Sequence, residues 1–215
     1  VGERVRGENR KGFTEVGLCF ALASNLLKKG HEIIVASNNP DSDSVQKAMA
    51  ACAGFSVQPV QAAVDAAEMV FLAIPFKANV LALEGITFHG KTLVDCTNPV
   101  GPGISHGLNS ERSGSELVQE LAPDAKVVKA FSIYGFETFA DSAFPGYGVQ
   151  PAMLIAGNDA TAKQQVEAIV AEMGFEAIDT GALSQALHLE HMTLLWVKMV
   201  RAGGAKHFAW AYLGK

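Results

Sequence analysis

Three short stretches of the chain hold residues whose types and spacing suit a phosphorylated redox cofactor. Gly12, Phe13, Thr14, Glu15, Val16 and Gly17 form a G-x-G-x-x-G turn in which Thr14 stands at the second glycine. A turn of this kind, opening a helix, aims backbone N–H groups and the positive end of the helix dipole at a pyrophosphate. The second glycine normally lets the backbone approach the phosphates. Thr14 crowds that approach, while its hydroxyl offers a donor in partial return. Ser37, Asn38 and Asn39 end an apolar run before Pro40, where a dinucleotide fold reads the adenosine ribose. No acid precedes Asp41 to take the 2′-hydroxyl of NAD. Small polar donors leave room for a 2′-phosphate, which favours NADP, although no arginine stands there to pair with it. A helix-capping turn is the plainer reading of the same residues. The third stretch is split between Ile74, Pro75 and Phe76 after one apolar run and Asn98 and Pro99 after another. Both lie at the carboxyl ends of expected strands, where open parallel sheets bind ligands. Asn98 could orient a nicotinamide amide, or simply form a turn.

Other chemistries lack their residues. The chain has no G-x-S-x-G elbow, Walker A loop or H-E-x-x-H pair. His188 and His191 flank Glu190 at helical spacing, but no third ligand has an obvious place, so no metal is expected. Cys19, Cys52 and Cys96 are odd in number and far apart, which reads as buried reduced thiols. No catalytic residue is assigned.

The elements that must hold these residues are legible as alternating segments. HEIIVA (31–36), MVFLAI (69–74), TLVD (92–95) and KVVKAF (126–131) are short and apolar without polar alternation, which predicts strands covered on both faces. Residues 153–156 and 175–178 are similar. Val16, Phe20, Ala23 and Leu27 share one face of a helix that stops at Gly30. Asp41 and Ser42 are placed to cap a helix running to about Ala53. Asp159 is placed to cap another, whose inner stripe is Ala162, Val166, Ile169, Val170 and Met173. A last helix spans about 183–202 and ends at Gly203-Gly204. The expected fold class is therefore α/β: a Rossmann-type, doubly wound, mainly parallel sheet with a small C-terminal helical part. The first residues do not fit this plan. Glu3, Arg4, Arg6, Glu8, Arg10 and Lys11 crowd a segment where such folds begin with a buried strand.

Composition narrows the class further. Of 215 residues, 49% are hydrophobic and 18% charged, and the net charge is −5. That balance excludes disorder and coiled coil, and it gives no electrostatic footprint for nucleic acid. No run of about 18 apolar residues predicts a membrane span. The polar N-terminus lacks the apolar core of a signal peptide, and the thiols suit a reducing compartment, so a cytoplasmic setting is expected.

The sequence resembles the family of NADPH-dependent coenzyme F420 reductases, the F420H2:NADP oxidoreductases and their bacterial relatives, from about Gly12 to the C-terminus. The pieces that carry the likeness are GHEIIVASNNP (30–40), VFLAIPF (70–76), LVDCTNPVGPG (93–103), SERSGSELV (110–118), KVVKAF (126–131) and the late stretch 156–196. Their order and spacing are more specific than any one of them. The resemblance implies that 12–17 holds the pyrophosphate and that Ser37 and Asn38 face the 2′-phosphate. It implies that Ile74, Pro75 and Asn98 lie along the nicotinamide. Ala130 to Gly135 and the start of the last helix would wall an acceptor cleft. It further implies a dinucleotide-binding domain over 1–180, a C-terminal helical segment over 181–215 for acceptor and dimer contacts, and a homodimer. The expected reaction is hydride transfer between NADPH and a deazaflavin such as coenzyme F420, a flavin, or a related acceptor. A flat-to-flat hydride transfer needs positioning more than a protein acid or base. The alternative is a dinucleotide-binding or sensing protein without turnover, motivated by Thr14 and the charged first segment.

Overall fold

The computed structural model describes residues 15–214. The turn at Gly12, Phe13 and Thr14, and the charged segment before it, lie outside the described residues. In chain order the elements are α1 (Glu15–Lys28), β1 (Ile33–Ala36), α2 (Asp43–Ala51), β2 (Phe55–Gln58), α3 (Val60–Ala66), β3 (Met69–Leu72), α4 (Asn79–Leu83), β4 (Thr92–Asp95), α5 (Gly114–Leu121), β5 (Lys126–Lys129), α6 (Phe136–Ala140), β6 (Ala152–Gly157), α7 (Ala160–Glu172), β7 (Glu176–Asp179) and α8 (Ala186–Arg201).

The strands form two sheets among the described residues. β1 pairs with β2, and a five-stranded sheet runs β3-β4-β5-β6-β7. Every pairing is parallel except β5 with β6. Parallel neighbours need a crossover between them, and the intervening helices supply it, as expected of a Rossmann-type fold. The core divides by the two-residue period of the strands. Leu93 and Val127 enter one cluster with Val64, Leu72, Phe88, Val118 and Leu183. Val94 and Val128 enter the other with Leu22, Leu26, Phe139, Met153, Ile155, Val166 and Leu189.

Several local expectations change in the structure. Cover on both faces holds for β4, buried at all four positions, and nearly so for β5 and β6. It fails for β1, which is half-buried with Ala36 exposed, and for β7, exposed at both ends. Among the described residues each pairs on one side only, so apolar sequence alone does not bury them. β2 was not among the expected strands. Its four residues alternate, with Phe55 and Val57 against Ser56 and Gln58, which is the mark of a strand with one face in the core. α1 uses two faces. Phe20 meets Phe55 edge-on at 6.0 Å over the β1–β2 sheet, as the expected stripe requires. Its deepest residues, however, are Ala21, Leu22 and Leu26, turned toward the large core. The expected cap of α2 is not made, since the Ser42 side chain accepts no helix N–H. The cap of α7 is made: Asp159 Oδ1 accepts from the Ala162 amide at 2.8 Å. That bond, with the Lys126 ammonium beside it, holds the Asp159 carboxyl below its ordinary range.

α8 packs on α5 and β6. Beyond it the chain returns along the sheet. The Ala152 amide donates to the Trp210 carbonyl at 2.7 Å, and the Thr138 hydroxyl donates to the Phe208 carbonyl at 3.2 Å.

Candidate functional site

The carboxyl ends of β3, β4 and β5 meet beneath α8. After β3 the chain turns through Ile74, Pro75 and Phe76. Pro75 is exposed, and Ile74 and Phe76 are half-buried. After β4 it passes half-buried Asn98 and buried Pro99. Gly114, which opens α5, fixes how closely these approach. A methyl there would fall 2.6 Å from the Phe76 ring, 3.1 Å from the Pro99 ring and 3.1 Å from a Glu190 oxygen. A side chain at 114 would therefore force the four groups apart. After β5, Ala130 is fully buried and its amide donates to the Asp95 carbonyl at 3.2 Å. Phe131 then takes φ = 51°, the left-handed region that a bulky residue enters only when its surroundings impose it. That kink places the Ser132 carbonyl against α8, where the Thr193 hydroxyl lies 2.8 Å away.

A buried charge cluster secures α8 in this position. Asp95 and Lys129 are register partners on β4 and β5, and the ammonium lies 3.3 Å from the carboxylate with both side chains fully buried. Lys129 also donates to the Thr97 carbonyl and lies 3.6 Å from Glu190 of α8. Asp95 further accepts from the Thr97 amide and hydroxyl and from the Ser115 hydroxyl. The second carboxylate, Glu190, is held by the start of α5, accepting from the Gly114 amide at 2.9 Å and the Ser115 amide at 3.3 Å. The helix dipole favours a negative charge there. His106 completes the set. Its Nδ1 accepts from the amides of Leu108 and Ser110, which leaves Nε2 as the donor to Glu190 at 2.7 Å. The His191 ring stacks on His106 at 5.4 Å.

The sequence-derived candidates fall in three places. Glu15, Val16 and Gly17 open α1, and their side chains are outside the description. Ser37, Asn38 and Asn39 end β1 in the two-stranded sheet. Asn38 Oδ1 accepts from the Val60 amide at 3.0 Å, so one end of this amide starts α3. Ser37 and Asn39 bond each other locally. Of the rest, Phe76 and Pro99 close on Gly114 to form a ledge beneath α8, and Asn98 reaches Thr193 of that helix, whereas Pro75 is exposed and Ile74 and Ala130 pack into different core clusters. Sequence reasoning missed Thr193, Lys129, His106 and the role of Glu190. Lys129 stands in the KVVK run, which was read only as a strand; the other lysine of that run, Lys126, pairs with Asp159 at 3.2 Å, outside the cluster. Cys96 is buried beside Asp95; burial first, then that carboxylate, pushes its thiol well above its ordinary value, so it offers no thiolate.

Here half-buried Phe76 lies near buried Pro99, and half-buried Asn98 carries both a donor and an acceptor. Two buried polar atoms beside it, Ser132 Oγ and Asn79 Oδ1, have no hydrogen-bond partner among the described residues. Asn79 is tied to the same loop through Thr97, 3.1 Å away. Among the described residues no group of three or more His, Cys, Asp or Glu could hold a metal ion. No helix there is long and apolar enough to cross a membrane.

A mainly parallel sheet with helical crossovers, its ligand-facing residues gathered at strand carboxyl ends, defines a Rossmann-type protein of the dinucleotide-binding class. Within that class, residues 17–99 match the family model for NADP oxidoreductases that are coenzyme F420-dependent. The chain is 30% identical over 176 residues to the metalloreductase STEAP3 of Rattus norvegicus, covering 81% of this chain and 34% of the relative. The chain thus spans about a third of the length of that curated relative. Among solved structures, it resembles a protein from Arthrobacter sp. FB24 described as a candidate F420-dependent NADP-reductase. That likeness has a TM-score of 0.78 at 24% identity and covers 94% of this chain and 97% of the other. A hypothetical protein, SMa0349 of Sinorhizobium meliloti, matches with a TM-score of 0.70 at 25% identity, over 79% of this chain and 83% of its own.

Proposed function

We propose that the chain binds NADPH along the carboxyl ends of its strands and passes a hydride between it and a second flat redox molecule. The acceptor classes are a deazaflavin such as coenzyme F420, a flavin, or a metal chelate reduced through a flavin. The single observation that carries this is the ledge of Phe76, Asn98 and Pro99 beneath α8, with unsatisfied polar atoms at its edge. The family match supports the choice of NADP, and the metalloreductase relative supports a metal among the final acceptors.

When bound, the nicotinamide supplies the hydride itself. The chain's part is to hold two rings near contact and to exclude water, which replaces a bimolecular encounter with a positioned one. Asn98 orients the carboxamide, Ile74, Pro75 and Phe76 lie along the ring, and Ala130 to Gly135 with α8 wall the acceptor. Ser37, Asn38 and Asn39 receive the adenosine phosphate, and 12–17 the pyrophosphate. This reading assigns the cofactor to a domain ending near residue 180 and the acceptor wall to the segment beyond it. It also places the protein in the cytoplasm as a homodimer joined through the outer face of α8, where Leu195 and Met199 are 48% and 39% exposed one turn apart.

Titration of the protein with NADPH and with NADH tests the reading. Tighter binding of NADPH, followed by its oxidation with one of the three acceptor classes, is the expected result. Absence of binding at millimolar nucleotide overturns it. Binding without turnover across the acceptors favours the sensing protein, to which Thr14 in the glycine turn gives a basis.

A further inference from the structure

We infer that Thr193 is the positioning residue for the Asn98 side chain. It holds the amide in its binding orientation while the site is empty and yields its place when a carboxamide arrives. The inference deepens the NADPH reading and rests on it.

Asn98 is only half-buried at the end of β4, and its own loop holds it weakly. Its Nδ2 lies 3.5 Å from the Cys96 carbonyl and 3.4 Å from the Ser132 carbonyl, both at the long limit of a hydrogen bond. Its only short contact among the described residues is from Oδ1 to the Thr193 hydroxyl, at 3.0 Å. Reversing the amide would set its NH2 against Thr193 and its oxygen against two carbonyls. The two carbonyls therefore exclude the reversed amide, and the Thr193 proton, within reach of Oδ1, fixes the remaining orientation.

Thr193 can do this and still let go. Its one proton faces three acceptors: Asn98 Oδ1, the Ser132 carbonyl at 2.8 Å and the Leu189 carbonyl at 3.2 Å. A threonine within a helix commonly donates to the carbonyl four residues back, and Leu189 is that carbonyl. When a ligand NH2 donates to Asn98 Oδ1, the Thr193 proton turns to Ser132 or Leu189 and nothing is left unpaired. The strained φ at Phe131 and the Glu190 cluster one turn earlier on α8 keep the three acceptors within reach. A hydroxyl at this point of α8 thus couples the C-terminal helix to the nicotinamide end of the site through Asn98.

Thr193→Val keeps the shape and removes the proton, whereas Thr193→Ser keeps it. We expect Thr193→Val to weaken NADPH binding roughly fivefold, because the Asn98 amide must then be ordered as the ligand arrives, and Thr193→Ser to restore it. In an Asn98→Ala background, Thr193→Val should weaken binding no further, because it acts through the missing amide. The Asn98 side-chain NH2 resonances should shift in Thr193→Val and return in Thr193→Ser. Unchanged affinity and resonances in Thr193→Val, or equal losses with and without Asn98, overturn the inference while leaving NADPH binding standing. No NADPH binding by the unaltered protein overturns the underlying reading as well. If Thr193→Val does not fold, the resonances and affinity of Thr193→Ala decide on the same terms.

Discussion

β1 and β4 are written in the same alphabet, IIVA against TLVD, and both run parallel to a neighbour. β4 is buried at every position, while β1 is half-buried and exposed at its end. The difference comes from what surrounds them. β4 lies between β3 and β5 with a core cluster on each face, whereas β1 pairs only with β2 among the described residues. In the proposed reading the nicotinamide end lies on a sheet cross-linked by buried charges, and the adenosine end on strands that form a pair among the described residues. Catalytic geometry at the ring demands precision of an ångström or less, while the phosphate end needs only donors within reach.

The sharpest way to break that comparison is to remove the charge that ties the large half together. Lys129→Ala leaves Asp95 and Glu190 buried without their shared cation, and a loss of about 3–5 kcal/mol in urea denaturation is expected. A loss below about 1 kcal/mol, the level of an exposed pair, would mean that the cluster is solvated and the two halves do not differ in this way.

The apolar side of the comparison is tested in pairs. Leu93→Ala in β4 should cost about 3 kcal/mol, because the site is closed on all sides and cannot collapse. Ile34→Ala in β1 should cost about half as much, since its side chain is already partly in water. Amide exchange gives the same ranking without substitution: β4 amides should exchange only with global unfolding and β1 amides sooner. Equal losses and equal protection would show that β1 is as well covered as β4.

How much of this was legible in the sequence follows the same division. The central strands β4, β5 and β6 could be read because burial on both faces removes polar alternation, and TLVD coincides with β4. α7 could be read because Asp159 caps it and Ala162, Val166 and Val170 line it. β2 escaped because four alternating residues carry little signal. The face of α1 was read only in part because that helix serves two cores at once. At the candidate site, Phe76, Asn98 and Pro99 were singled out from their place after apolar runs. Thr193, His106 and Lys129 were not, because their meaning is a meeting of α8, a glycine-rich loop and β5 that no local spacing records.

The smallest effect separates the halves by pH. On the far side of the large sheet, Tyr134 donates to the Ala152 carbonyl and accepts from the Trp210 amide at 3.1 Å, joining β6 to the end of the chain. Burial pushes its phenol from 10 up to about 12, against a smaller opposing pull from the Trp210 amide. The folded protein therefore keeps a proton that the unfolded chain gives up. This contribution is complete below pH 10 and disappears as the pH rises to about 12. Tyr134→Phe should cost about 1 kcal/mol at neutral pH, the worth of one hydrogen bond, and should flatten the fall in stability across the alkaline window. Val35→Ala in β1 should leave that fall unchanged, because it touches no titrating group. A Tyr134→Phe protein that weakens as steeply as its parent from pH 10 to 12 would place the alkaline transition elsewhere, and with it the tie between the chain's last residues and the large sheet.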